Sequence, residues 1–134
     1  MDERVFLDTG VLVRYFATDD PPRALAAAKL IDGAATVVVS TGSVVETIHV
    51  MRTRYGFRNP ELGLGLIEFL TKHNVLLADA DAGAVVAGIE RTLAFSERRI
   101  PDAILAAAAE EAGCDWIATF DEDFSSPTVP SRLI

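Results

Sequence analysis

Cysteine is almost absent from this chain. Cys114 is the sole thiol, so no internal disulfide can form, and a reducing, cytoplasmic compartment is the matching expectation. Histidine occurs only at His49 and His73, far apart in sequence, which leaves no His–Cys set for zinc and no histidine-based setting for a nucleophilic serine. No apolar run approaches the roughly 20 residues of a membrane helix. The opening "MDERVFLDTG" carries acids and one short apolar run, and reads as neither a signal peptide nor a spanning segment. Repeats, low-complexity tails and long linkers are missing too. Positive charge is scarce: the formal net charge is −8, which disfavours generic electrostatic binding to nucleic acid. An enzyme acting on nucleic acid would therefore need local basic patches and metal ions. Lysine is the rarer cation, present only at Lys29 and Lys72. The arginine-for-lysine bias suits bidentate phosphate or carboxylate pairing, and is equally what a GC-rich genome produces.

What is present is a chain of 134 residues, half of them apolar, which predicts one domain over 1–134 with a core that needs no staples. The run Val5, Phe6, Leu7 reads as a buried strand. "VLVRYF" follows as a short helix, then the loop "ATDDPP", whose second proline suits the start of the helix "RALAAAKLID". The β-branched run "ATVVVS" is a buried strand. "TGSVVETIHVMRTRYG" is a helix, with Ser43 or Thr41 as the expected N-cap and Gly56 past its end. "NPELGLGLIEFLTKHN" is a helix with Asn59 as its expected cap, and "VLLA" is a strand. A long helix over 81–99 is weakened by Gly83 and Gly88. "PDAILAAAAEEAG" is a helix, "CDWIATFD" a strand, and "TVPSRLI" an edge strand where Pro130 is tolerable. Strands alternating with helices predict an α/β fold, a parallel sheet covered by helices. In such sheets the working crevice lies outside the carboxyl ends of the strands.

Acids mark that edge. Asp8 ends the first strand. Glu46 lies near the start of the helix after "TVVVS", Asp102 in the first turn after Pro101, and Asp121 and Asp123 after "DWIAT". Each has a plain structural role open to it. Asp8 can cap a helix, Asp102 can complement a helix dipole, Glu46 can face solvent, and Asp121–Asp123 can form an acidic turn. Gathered in one crevice they repel, each pair at about 5 Å costing roughly 3 kcal/mol at an effective dielectric near 20. A hard cation, Mg²⁺ or Mn²⁺, is the natural partner for such oxygen ligands.

The segments "FLDTGVLV", "VETIHVM" and "PDAILAAAAEEAGCDWIATFDEDF" together resemble the PIN domain of VapC-type toxin ribonucleases, over essentially the whole chain. The resemblance implies a PIN-like three-layer α/β/α sandwich with a central, mostly parallel sheet of four to five strands. It matches Asp8, Glu46 and Asp102 to the first three acids of a catalytic, metal-binding set. Asp121 is the favoured fourth, with Asp123 also within reach. Thr9 and Thr119 match hydroxyls that orient carboxylates or a water. Gly10 departs from the small polar residue usual after Asp-Thr. The activity implied is metal-dependent endoribonuclease cleavage by water, with no covalent intermediate. The partners implied are an RNA substrate, a second copy of the chain, and a cognate antitoxin whose tail lies across the site and presents an arginine to the acids.

RNA contact is assigned to Arg52, Arg54, Arg58, Arg98 and Arg99. Tyr55 and Phe57 are available for base stacking, or alternatively for closing the core. The alanine-rich stretches "RALAAAKLI" and "LGLGLIEFL" would leave an apolar patch for a partner helix. The competing functional reading is a PIN-fold interaction module without catalysis. A phosphatase that uses a strand-end aspartate is a weaker third, since its second aspartate would fall at Gly10. A phosphorylated receiver domain needs a lysine on a late strand end, and neither lysine is so placed.

Overall fold

The computed structural model describes residues 3–93, 99–111, 113–119, 122–124, 126 and 128–133. Three strands, β1 (Arg4–Phe6), β2 (Thr36–Val39) and β3 (Val75–Leu77), form a parallel sheet in the order β1-β2-β3. Val5 pairs with Val37, and Val37 with Val75. Two further strands, β4 (Ile117–Thr119) and β5 (Ser131–Leu133), pair in parallel with each other. Five strands thus form among the described residues, and every pairing between them is parallel. Among the described residues their hydrogen bonds divide them into a sheet of three and a sheet of two, rather than one continuous sheet.

Among the described residues six helices connect the strands: α1 (Thr9–Phe16), α2 (Pro21–Ile31), α3 (Thr41–Thr53), α4 (Asn59–Leu70), α5 (Ala82–Glu90) and α6 (Ile100–Glu111). Their starts follow local chemistry. Asp20 caps α2 by accepting from the Arg23 amide, with Pro21 and Pro22 in the first turn where no donor is lost. Ser40, not Thr41 or Ser43, caps α3. It still has the extended backbone of β2, and its hydroxyl accepts from the Ser43 amide at 3.1 Å. Asn59 likewise lies inside α4 and is buried, so the cap position passes to Arg58. The helix expected over 81–99 is regular only to Glu90 and continues as turns through 93; residues 94–98 fall outside the described set.

The core runs along one face of each helix and through the sheet: Leu7, Leu12, Ile31, Val37, Val39, Ile48, Leu66, Phe69 and Ile104 are all essentially buried. The first strand does not bury its whole apolar run. Leu7 is buried, Val5 is half-buried, and Phe6 is 61% exposed. The alternation of a strand sends neighbouring side chains to opposite faces, and β1 is an edge of the three-stranded sheet. Leu25 of α2 and Leu64 of α4 remain 57% and 59% exposed, in the stretches expected to leave apolar surface.

Two further contacts hold the helices in register. Asp32, after α2, accepts from the Tyr15 hydroxyl at 3.0 Å and pairs with Lys72 at 2.9 Å, so α1, α2 and the end of α4 meet at one carboxylate. Burial, followed by the bond to Asp32, pushes the Tyr15 phenol up to about 12. Gly88 does more than weaken α5: a β-carbon there would lie 2.7 Å from the Ala103 carbonyl oxygen and 3.0 Å from the Ala107 β-carbon. Its lack of a side chain is what lets α5 and α6 touch.

Candidate active site

The strand ends build the site. Leu7 is the last residue tied to the sheet, its amide donating to the Val38 carbonyl at 2.9 Å. Asp8 follows and turns outward, exposed, as the N-cap of α1: its Oδ1 accepts from the Thr9 amide at 2.9 Å. The expected cap and the candidate metal ligand are thus the same carboxylate. Because β1 and β2 are adjacent and parallel, α1 and α3 start from the same edge. Glu46, in the second turn of α3, is brought to that edge and is also exposed. Thr9 joins the two acids, its hydroxyl donating to Glu46 Oε2 at 3.0 Å. The role read for Thr9, orienting a carboxylate, has this contact behind it.

Asp102 is the third residue of α6 and only 7% exposed. Arg99 Nε lies 3.2 Å from its Oδ2, with side-chain exposures of 42% for Arg99 and 11% for Asp102. A nearly buried carboxylate is tolerable here because a guanidinium and the positive end of a helix both offset its charge. Asp121 and Arg98 lie outside the described residues, as does the side chain of Thr119. Asp123 is exposed in a turn. Among the described residues, no three acidic, histidine or cysteine side chains converge closely enough to hold a metal ion. Asp8 and Glu46 are joined; Asp102 is turned onto Arg99.

One strand-end acid escaped sequence reading. Asp79 follows β3, and its Oδ1 accepts from both the amide and the hydroxyl of Thr41, each at 2.9 Å. Those bonds, the amide first, hold the Asp79 carboxyl below its ordinary value. The bond pins the first residue of α3, and so the helix that carries Glu46. The rule that flagged Asp8, an acid just past an apolar strand, also marks Asp79 after "VLLA".

The arginines separate. Arg52, in the last turn of α3, and Arg99 line a crevice of about 330 Å³ together with Ile48, His49, Thr53 and Pro101. Arg54 and Arg58 are exposed and do not line it. Tyr55 and Phe57 pack against the core, and the Tyr55 hydroxyl donates to Asp19 at 3.0 Å, so the core-closing alternative holds for both aromatics. A second cavity of about 500 Å³ lies between α1 and α2, with Val11, Ala26, Ala27 and Leu30 as apolar walls and Asp8 and Arg14 among its polar ones.

The sequence model of the PIN domain matches residues 5–128. The chain belongs to the PIN domain family. The match spans all of the acids placed above, and the parallel α/β architecture is that of a PIN domain. Among solved structures, the chain is similar to the VapC20 toxin of Mycobacterium tuberculosis, described as cleaving the Sarcin-Ricin loop. The identity is 20%, over 90% of this chain and 92% of that one, with a TM-score of 0.42. No curated protein matches in sequence. No helix among the described residues is long and apolar enough to cross a membrane.

The donors of this PIN domain suit a hard divalent cation in kind. Asp8 and Glu46 offer exposed carboxylate oxygens; the Thr9 amide holds one oxygen of Asp8 and the Thr9 hydroxyl one oxygen of Glu46, and neither adds charge. Sulfur and imidazole ligands, which would favour zinc, are not part of the set.

Proposed function

We propose that the chain is a Mg²⁺- or Mn²⁺-dependent endoribonuclease and the toxin of a toxin–antitoxin pair, acting in the cytoplasm. The observation that carries this reading is Thr9 joining Asp8 to Glu46 at the carboxyl edge of a parallel sheet. Asp8, Glu46, Asp102 and Asp121 are the catalytic and metal-holding acids, with Asp123 the alternative fourth. When bound, the cation polarises the scissile phosphate and lowers the pKa of an attacking water. The chain's own groups do the remaining work. Thr9 holds Glu46 in one orientation, and Thr119 is given the matching task at the other acid. The carboxylates order the attacking water, while arginines, Arg52 and Arg99 with Arg54, Arg58 and Arg98, offset the phosphate charge that a protein of net charge −8 would otherwise repel.

The cavity between α1 and α2 shares Asp8 with this site and has apolar walls, so an antitoxin tail lying there would reach the acids. Exposed Leu25 and Leu64 supply surface for that partner or for a second copy of the chain. The test is cleavage of single-stranded RNA by purified protein with Mg²⁺, with Mn²⁺ and with chelator, followed by sequencing of the RNA ends. Cleavage that survives chelation would contradict the metal role.

A second reading, a PIN-fold interaction module, is favoured by Asp102 pairing with Arg99 and by no three acids converging among the described residues. Under that reading no RNA is cut with either metal, while a partner chain still co-purifies.

A further inference from the structure

We propose that the crevice between α3 and the start of α6 binds the phosphate backbone of single-stranded RNA next to the cleavage site, with His49 and Arg52 as its contact residues. The proposal rests on the nuclease reading above and adds a substrate path to it.

Four observations carry it. First, the lining is cationic in an acidic protein. Among the described residues its ionisable side chains are His49, Arg52 and Arg99, while the whole chain carries −8. Second, the crevice begins where the acids are. His49 lies one turn along α3 from Glu46, and residues three apart share a helix face. Arg52 lies one turn further still. On the opposite wall, Pro101 immediately precedes Asp102.

Third, Arg99 is held in place: its Nε is fixed 3.2 Å from Asp102 Oδ2, yet the side chain is 42% exposed. An arginine anchored along one edge loses little freedom when it meets an anion. Fourth, the floor is apolar and rigid, since Ile48 is fully buried, and the rim is polar, with the Thr53 hydroxyl tied to the His49 carbonyl at 2.7 Å. Among the described residues no acid lines the crevice; the nearest in sequence to its walls are Glu46, one turn before His49 on α3, and Asp102, next to Pro101 on α6. The described ionisable side chains of the crevice itself are therefore basic.

The size points to one strand. A volume of about 330 Å³ lies at the low end of the roughly 300–1,000 Å³ typical of ligand pockets. Duplex RNA is instead gripped across a broad, shallow groove, and single strands are gripped in cationic channels. Because the crevice adjoins the acids to which the nuclease reading assigns the scissile phosphate, the strand that enters the site would pass through it, and an acidic peptide has no such continuity.

The experiment is fluorescence anisotropy of a labelled single-stranded RNA 12-mer with full-length protein in chelator, where nothing is cut, over a series of KCl concentrations. Arg52→Ala is expected to weaken binding about tenfold, the scale of one hydrogen bond to a charged group. It should also reduce the slope of log K against log salt by about 0.7, one released counterion on a single strand. His49→Ala should weaken binding about three- to tenfold; it is exposed and keeps a helix-forming residue in α3, so it stands as the second variant if Arg52→Ala folds poorly. Lys29→Ala, an equal loss of charge on α2, should leave binding within about twofold if only distant charge is removed.

Equal weakening by Lys29→Ala would overturn the proposal, since the effect would then be net charge. So would competition by polyglutamate as strong as by unlabelled RNA, which would make the occupant an acidic protein segment. With Mg²⁺ restored, wild-type cleavage alongside unchanged RNA binding in both crevice variants would overturn the crevice and leave the nuclease reading standing. Wild-type protein that neither binds nor cuts RNA would end both.

Discussion

The Thr9 hydroxyl donates to the Glu46 carboxylate at 3.0 Å while the Thr9 amide donates to Asp8, so one residue sets the orientation of both acids. Thr9→Val keeps the shape and removes only the hydroxyl. Groups that orient metal ligands typically cost about 10- to 100-fold in affinity or activity when removed. Thr9→Val should therefore cut RNA roughly tenfold or more slowly and need more Mg²⁺ for half-maximal rate, while Thr9→Ser stays near wild type. Because the site is exposed, the thermal melt of Thr9→Val should move little. Full activity in Thr9→Val would remove the orienting role.

Gly88 offers a packing test independent of chemistry. Alanine there gains about 1 kcal/mol in helix propensity. It also places a β-carbon 2.7 Å from the Ala103 backbone oxygen, which no side-chain rotation relieves. Overpacking of this kind typically costs about 1–3 kcal/mol, so the clash should win. Gly88→Ala should lower the midpoint of denaturant unfolding; an unchanged or raised midpoint would mean that α5 and α6 separate without cost.

Asp79 links stability to pH. Its folded carboxyl is held below the ordinary 3.8 by the Thr41 amide and then the Thr41 hydroxyl. A depressed folded value means that the stabilisation is fully present above the unfolded value and is lost as pH falls through the folded one. Asp79→Ala should thus be less stable than wild type at pH 7, with the deficit shrinking below about pH 4. Asp32, held low chiefly by its hydrogen bond from Lys72, adds to acid sensitivity in the same window and is common to both proteins. Melts from pH 2 to 7 decide it. A deficit constant across that range would exclude linkage through Asp79.

The same two acids show what a sequence can and cannot reveal. Asp8 was legible as a strand-end acid because an apolar run must stop before a carboxylate. Asp79 obeys the same rule, but its partner Thr41 is 38 residues away, and no periodicity announces that pairing. Helix starts were visible where proline fixes the backbone, as at Pro21 and Pro22. They were misplaced by one to three residues at α3, because Ser40, Thr41 and Ser43 can all cap, and the choice depends on where the chain leaves extended geometry. The β-branched run of β2 marked a buried strand, whereas "RVFL" did not tell that β1 would expose Phe6 at a sheet edge. Gly88 looked like a weakness because local propensity does not include the neighbouring helix.

The acid set predicts a pattern across single amide substitutions. Asp8→Asn, Glu46→Gln, Asp102→Asn and Asp121→Asn should each reduce cleavage below detection while circular dichroism stays native. Asp123→Asn should retain activity, because Asp121 lies closer to the end of β4, where the backbone is held by pairing with β5. An inactive Asp123→Asn beside an active Asp121→Asn would reverse the assignment. Asp102→Asn carries an added stability cost, since it removes the charged half of the Arg99–Asp102 ion pair.

Asp8→Asn separates capping from metal binding most cleanly, because asparagine caps a helix about as well as aspartate. In chelator two small effects oppose each other. The variant loses the favourable interaction of a negative charge with the start of α1, roughly 0.3–1 kcal/mol. It also relieves repulsion with Glu46, which Thr9 holds at the same edge. The melting temperature without metal should therefore change little. With Mg²⁺ the proteins should diverge. A ligand that binds only the folded state at ten times its dissociation constant adds about 1.4 kcal/mol, roughly 3–8 °C for a domain of this size. Wild type should show that shift, and Asp8→Asn should lose most of it together with cleavage. If Asp8 served only as a cap, both proteins would melt alike, with metal and without. An undiminished Mg²⁺ shift in Asp8→Asn would therefore refute its role as a metal ligand, whatever happened to activity.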